Sequence, residues 1–258
     1  MLNRPLDHRI YRSISELTSI NAGSNTELQA VIFDCDGVLV DSEPLHYRAF
    51  QEVLLPLGMG YDYETYLERF VGFDDRDAFI HAFGEAGREL SPTALNGLME
   101  AKASALKRLI RQGVPTFSGV IELVNELMDR GVSMAVASGA RRHEVIAFIE
   151  SLGLSGAFQV IVAADEVKKS KPDPATYLLA IEGLRQTREP KPLVPLNCVA
   201  IEDTGAGIRS ARSAGLAVIA VTNSFSPIEL SEADKVIGSL SELSFHDIVK
   251  LLEQRRQV

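Results

Sequence analysis

The chain has 258 residues, 46% of them hydrophobic, enough to bury a full-sized core either as one large domain or as a core with a smaller companion. Its formal charge of −9, from 26 lysines and arginines against 35 aspartates and glutamates, gives no overall electrostatic reason to bind nucleic acid or an anionic membrane. No run approaches the roughly 20 apolar residues of a membrane span, and the first residues lack the basic-then-apolar pattern of a secretory signal, so a soluble cytoplasmic protein is expected.

Residues 1 to 28 are polar and aperiodic and end in NAGSNTELQ, which reads as an appended arm joined by a linker. Its Arg4, Arg9 and Arg12 are accompanied by Asp7, Glu16 and Glu27, against an organelle transit peptide, which is poor in acids. From Ala30 the pattern changes to short apolar runs of strand length: VIF, VSMAVAS, FQVIVA, CVAIED and LAVIAV. Four of them are separated by amphipathic helical stretches, which predicts a parallel sheet covered by helices on both faces. Between the first and second runs, residues 45–114 are strand-poor and show helical periodicity in YRAFQEVLLPLG, ETYLERFVG, DAFIHAFGEAG and TALNGLMEAKASALKRLIRQG. An all-helical insertion of this size is most simply a separate subdomain, with residues 29–44 and 115–258 as the α/β core. EPKPLVP reads as a loop before the CVAIED strand. Cys35 and Cys198 lie within apolar strand-like runs, which fits reduced thiols, and the aspartates beside Cys35 disfavour a thiolate.

AVIFDCDGVLVDSE places Asp34 and Asp36 at the carboxyl end of a buried strand, where open parallel sheets bind ligands. Two residues apart on extended backbone, both side chains share one face, and Gly37 lets the chain turn away. Adjacent carboxylates repel and raise one pKa, so they call for a divalent cation, a shared proton, or both. In phosphoryl transfer one carboxylate attacks phosphorus while a second protonates the leaving oxygen and later activates water; Asp34 suits the first role and Asp36 the second. Turn capping is the plain structural alternative for both.

Ser138 stands between VSMAVA and the helix HEVIAFIESLG, placed to meet a phosphate oxygen with its hydroxyl and the following amides, or simply to cap that helix. Arg141 and Arg142 follow; at least one is placed to reach a second anionic group, or both line a solvated face. In EVKKSKPDPATY, Pro172 biases Lys171 towards an extended, loop-like backbone just before a helix. A fixed lysine there would limit repulsion between an attacking carboxylate and an incoming phosphoryl group. CVAIEDTGAG brings Glu202 and Asp203 out at the end of another buried strand, as part of a hard-oxygen cluster suited to magnesium, with capping of the next helix by Asp203 or Thr204 as the alternative.

DCDGVLVDSE resembles the first signature of the haloacid dehalogenase superfamily of phosphohydrolases, and VASGA, KSKPDP and IEDTGAG follow in the order of its remaining signatures. The resemblance covers almost the whole chain after residue 30. It implies a Rossmann-like α/β core with an inserted helical cap, and a phosphoaspartate on Asp34. It also implies phosphate binding at Ser138 and Gly139, and selects Lys171 over Lys168 and Lys169 as the positive charge. For Mg2+ it implies side-chain ligation by Asp34 and Asp203 and main-chain carbonyl ligation by Asp36, with Glu202 binding directly or through water. Gly37, the turn glycine of the first signature, is a further substrate-binding candidate.

The insertion looks like the cap of the branch that includes phosphoglycolate phosphatase, β-phosphoglucomutase and Calvin-cycle-type sugar-bisphosphate phosphatases, which implies a small phosphorylated metabolite as substrate and a cap that confers selectivity. His46 occupies the position of the hinge-side histidine of β-phosphoglucomutase, or is simply packed. Gly72 and Arg76 are substrate-facing candidates, although Asp74, Asp75 and Asp77 equally suggest a surface salt-bridge cluster around Arg76. In β-phosphoglucomutase a cap arginine stands three residues after the glycine; here Arg76 is four after Gly72, which favours a phosphatase over a sugar-phosphate mutase. Asp36 disfavours haloalkanoate dehalogenation, and retention of Asp34 and Lys171 disfavours a catalytically silent binding protein. A monomer or weak homodimer is expected.

Overall fold

The computed structural model describes residues 27–71, 73–187 and 193–257. Residues 1–26 of the expected arm, Gly72, and residues 189–192 of the EPKPLVP loop lie outside the described residues. Within them, β1 (Ala30–Phe33), β2 (Ser133–Ala137), β3 (Val160–Val162), β4 (Cys198–Glu202), β5 (Ala217–Val221) and β6 (Lys235–Ile237) form one sheet. All pairings are parallel, in the order β3-β2-β1-β4-β5-β6. The five apolar runs of the sequence supply β1 to β5. The sixth strand was not anticipated: KVI is only three residues long, and it pairs at the sheet edge with Ile219–Val221 of β5.

Chain order runs outward from β1 to β3 on one side and from β4 to β6 on the other, so the topological switch lies between β1 and β4. A crevice therefore opens beyond their carboxyl ends, the position at which such sheets bind ligands. Residues on each strand alternate between two apolar layers. Val31 and Phe33 of β1 join one layer with α5 (Val120–Asp129), α6 (Arg142–Ser151) and α9 (Phe245–Arg255). Ala30 and Ile32 join the other with α7 (Ala175–Thr187) and α8 (Gly205–Ser213). Because β1 and β4 pair Phe33 with Ile201, the next residues, Asp34 and Glu202, extend the alternation onto the α7–α8 side.

Between β1 and β2 come α1 (Glu43–Leu54), α2 (Tyr63–Arg69), α3 (Asp75–Glu85) and α4 (Pro92–Gln112), matching the four helical stretches read from the sequence. Their starts are set by side-chain caps: Asp62 accepts from the Thr65 amide, Asp74 from Asp77, and Ser91 from Ala94 with Pro92 in the first turn. Phe50, Leu54, Tyr66, Phe70, Phe79, Phe83 and Leu95 form a third apolar cluster within this unit. The two long helices straddle clusters: α1 gives Leu45 and Ala49 to the sheet layer but Phe50 and Leu54 to the helical unit, and α4 gives Leu106 and Leu109 to the first but Leu95 to the second. No helix among the described residues is long and apolar enough to cross a membrane. Cys35 and Cys198 are buried and in no disulfide among the described residues, as expected.

Candidate active site

Asp34 follows the last residue of β1, its amide donating to Ile201 O at 2.9 Å and so continuing the β1–β4 ladder for one further step. Asp203 follows the last residue of β4 in the same way. Asp34, Glu202 and Asp203 are all buried, and one carboxylate oxygen from each lies within 4.8 Å of the others. Lys171 enters from the loop before α7 and bridges two of them, with Nζ 3.0 Å from Asp34 Oδ1 and 2.6 Å from Glu202 Oε1. The Lys171–Pro172 peptide bond is cis. Lys168 and Lys169 are exposed, and Lys169 reaches only a 3.9 Å pairing with Asp173.

Gly37 turns the chain back at φ 78°, a conformation that suits glycine, and a Cβ there would overlap the Asp203 carboxylate. The turn thus carries its backbone close against the second strand tip. Asn223 Nδ2 holds the Gly37 carbonyl at 2.8 Å, and the neighbouring Ser224 hydroxyl donates to Asp203 Oδ2. Asp36 accepts the Ser42 hydroxyl on Oδ1 at 2.5 Å.

Burial raises the Asp34 pKa well above its usual range; Lys171 opposes this, while Glu202, Asp203 and Asp36 add to it. Asp36 is pushed up to about 6 by burial, against the Ser42 hydrogen bond. Asp203 is pushed up to about 7 by burial, against the Ser224 bond. For Lys171 burial works against the ammonium, but Asp34 and Glu202 outweigh it and its pKa is raised. A pocket in which three acids hold their protons too tightly is short of positive charge. Asp203 Oδ1 is also buried without a hydrogen-bond partner. An orphaned carboxylate oxygen in an all-oxygen donor set fits a hard divalent cation such as magnesium.

The other expected residues divide. Ser138 is buried at the end of β2, but Arg141 is the N-cap residue of α6; the Ser138 oxygen instead accepts the Ala140 amide at 2.9 Å, leaving the hydroxyl proton to donate. Gly139 and the Arg141 side chain are exposed beside it, whereas Arg142 is committed to Ile161 O and the Glu166 carboxylate. Thr204, not Asp203, caps α8 by accepting from Gly207 N at 3.0 Å, so Asp203 remains available to the site. His46 is packed: its Nδ1 lies 2.8 Å from the buried Lys102 Nζ, which also pairs with Asp75 at 2.6 Å. Asp74 is a helix cap, Asp75 serves Lys102, and Arg76 is exposed with no ion pair among the described residues, so the acids do not form a surface cluster around it.

Four contributors escaped the sequence reading. Ser42 was visible only as part of the first motif, and Tyr177, whose hydroxyl donates to Glu202 Oε1 at 2.7 Å, only as the last residue of EVKKSKPDPATY. Asn223 and Ser224 did leave a signal, since a polar TNS directly after an apolar strand emerges at the same sheet edge as the acids.

Residues 31–221 match the family described as haloacid dehalogenase-like hydrolase. Protein CbbY of Rhodobacter capsulatus is 34% identical over 235 residues, spanning 87% of this chain and 99% of that protein. A phosphorylated carbohydrates phosphatase of Thermotoga maritima is 31% identical over 189 residues, spanning 73% of this chain and 82% of its own length. The crystal structure of CbbY from Rhodobacter sphaeroides in complex with xylulose-(1,5)bisphosphate superposes with a TM-score of 0.72 at 28% identity, covering 86% of this chain and 99% of that one.

Proposed function

Since the chain belongs to the haloacid dehalogenase-like hydrolase family, we propose that it is a magnesium-dependent phosphatase of a small phosphorylated carbohydrate, acting through a phosphoaspartate on Asp34. The observation that carries this reading is the bridge of Lys171 between Asp34 and Glu202 beside the unpartnered oxygen of Asp203. That set supplies a buried nucleophile, a fixed cation and a place for a divalent ion on one side of a crevice.

Asp34 and Asp203 would hold Mg2+ through their side chains and Asp36 through its main-chain carbonyl, with Glu202 beside them. When bound, the ion supplies electrostatic stabilisation of the transferring phosphoryl oxygens and relieves the mutual repulsion of the acids. Lys171 neutralises Asp34 and the incoming phosphoryl group together. A carboxylate oxygen of Asp34 attacks phosphorus, the bond from phosphorus to the ester oxygen breaks, and protonated Asp36 gives its proton to the departing alkoxide. Asp36 is then a carboxylate, ready to take a proton from water as the water oxygen attacks the phosphoaspartate. That step breaks the bond between phosphorus and Asp34, releases inorganic phosphate and restores both acids. A pKa pushed up to about 6 suits an acid that must give and take a proton near neutrality. Ser138 and the Gly139 backbone would hold the phosphoryl oxygens, and Arg141, exposed at the rim, would meet further substrate oxygens. Residues 45–114 serve in this reading as the cap that shuts water out and selects the carbohydrate.

The test is phosphate release from a panel of phosphorylated sugars with and without Mg2+, run beside an assay for conversion of β-glucose 1-phosphate to glucose 6-phosphate. Release that depends on Mg2+ and vanishes in Asp34→Asn is expected. Isomer formed without free phosphate would make the chain a mutase, and ordinary turnover by Asp34→Asn would refute the nucleophile.

A further inference from the structure

Tyr177 is fully buried in α7, on the same side of the sheet as Asp34 and Glu202. Its hydroxyl and the Lys171 ammonium converge on one oxygen, Glu202 Oε1, at 2.7 and 2.6 Å. The ammonium also lies 5.2 Å from the centroid of the Tyr177 ring, within the range of a cation–π contact. On the other oxygen, Glu202 Oε2 accepts the Asp203 amide and the Thr204 hydroxyl, each at 3.2 Å. A carboxylate offers about four lone-pair sites, and protein donors occupy them all. Gly207 closes the remaining side, because a Cβ there would overlap the Glu202 carboxyl group. Asp203 has the opposite situation, with Oδ1 buried and unclaimed.

Resting on the role given to Lys171 above, we infer that Tyr177 is a positioning residue: by donating to Glu202 Oε1 and carrying the ammonium on its ring, it fixes that carboxylate against the lysine and so aims Lys171 at Asp34. Lys171 has two carboxylates to choose from, and its direction depends on Glu202 staying still. The tyrosine hydroxyl is the donor on Oε1 that does not itself take part in charge compensation. Without it Oε1 has a vacant lone pair, and the carboxylate is free to turn away from the lysine.

The experiment compares Tyr177→Phe, which deletes only the hydroxyl, with Tyr177→Leu, which deletes the ring contact as well. Three quantities are read on the full chain: turnover of the best phosphoester in the panel, Mg2+ affinity by calorimetry, and the acylation rate of Lys171 by mass spectrometry with Lys107 and Lys169 as internal references. Tyr177→Phe is expected to lower kcat about tenfold, and Tyr177→Leu about a hundredfold, the scale of a misplaced group. KM should change little, Lys171 should gain reactivity relative to the reference lysines, and Mg2+ affinity should change less than tenfold. A lowered melting temperature with Lys171 reactivity and kcat unchanged would reduce Tyr177 to core packing and overturn the inference. So would Mg2+ binding weakened tenfold in Tyr177→Phe with Lys171 reactivity unchanged, which would make the metal, and not the lysine, what the tyrosine serves. Should Tyr177→Leu fail to fold, the phenylalanine variant decides alone. Absence of phosphate release by the wild-type chain would sink the proposed function, yet the acylation comparison would still judge the positioning.

Discussion

Ser42 donates its hydroxyl to Asp36 Oδ1 across 2.5 Å, from the position that caps α1, and makes no side-chain cap to that helix. A serine at this position would ordinarily serve the helix, at a gain of about 1 kcal/mol; here its proton goes to the proposed acid. Ser42→Ala is expected to lower kcat about tenfold, the low end of what a proton-transfer group contributes, with KM nearly unchanged. Ser42→Thr, which keeps the hydroxyl, should retain most of the activity. Steady-state kinetics checks both, and a change in KM alone would move Ser42 into substrate binding.

Asp203 ties stability to pH and to metal. Its carboxyl titrates near about 7 in the folded protein against an ordinary value of 3.8. Between those values the folded chain binds more protons than the unfolded one, so stability falls as pH rises through this window, by at most about 1.4 kcal/mol per pH unit. Asp203→Asn should remove this contribution in metal-free protein. It should also abolish the rise in melting temperature on adding Mg2+, both by scanning calorimetry. A full Mg2+ shift in the asparagine variant would remove Asp203 from the metal site.

His46 works in the opposite sense. Burial, helped by Lys102, lowers its pKa from 6.5 to about 3. The unfolded chain therefore binds the extra proton first, and this contribution to stability is complete above pH 6.5 and lost as pH falls towards 3. His46→Gln should flatten the acid side of the stability curve relative to wild type, measured by denaturant titration at several pH values. An unchanged difference between the two proteins from pH 7 to pH 4 would contradict the assignment.

Lys102 is 1% exposed at its side chain, while its partner Asp75 is 34% exposed. Losing a fully buried partner costs about 3–5 kcal/mol; because Asp75 is partly solvated, Asp75→Ala is expected to cost about 2 kcal/mol. Chemical denaturation reads the cost directly. Replacing Asp75 and Lys102 together by alanine should cost less than the two single substitutions added, because neither partner is then left alone.

Gly37→Ala should harm metal binding more than folding. The positive φ costs an alanine about 1–2 kcal/mol, whereas the new methyl would meet the Asp203 carboxylate itself. Calorimetric titration with Mg2+ should show at least a tenfold loss of affinity, the low end of what a disturbed metal-site support costs. Wild-type affinity in the alanine variant would mean that the turn and Asp203 are not in contact in solution.

The strands and acids were readable because their signal is local. An apolar run ending in DxD or ED announces both a strand and what stands at its tip, as in VIFDCD and VAIED, while VASGA and KSKPDP are equally short and local. β6 was missed because KVI is flanked by polar residues and glycine in ADKVIGS and forms no apolar run, whereas the equally short edge strand β3 lies within the apolar FQVIVA. Tyr177, Lys102 and the Ser224 bond were missed for another reason: each acts on a partner 18 or more residues away, or across helices whose register is set by packing. Nothing in the sequence spacing sets Tyr177 against Glu202; their hydrogen bond follows from the packing of α7 on the sheet. The role of Ser138 was ambiguous in sequence because its helix starts three residues later than a serine cap would require.

Because α1 and α4 each give different side chains to two apolar clusters, the helical unit and a sheet layer are tied together through both helices. Neither part can melt without stripping apolar area from the other. Heat should therefore take the described chain apart in a single cooperative transition, with the calorimetric and van't Hoff enthalpies in agreement, even though the chain holds more than one apolar cluster.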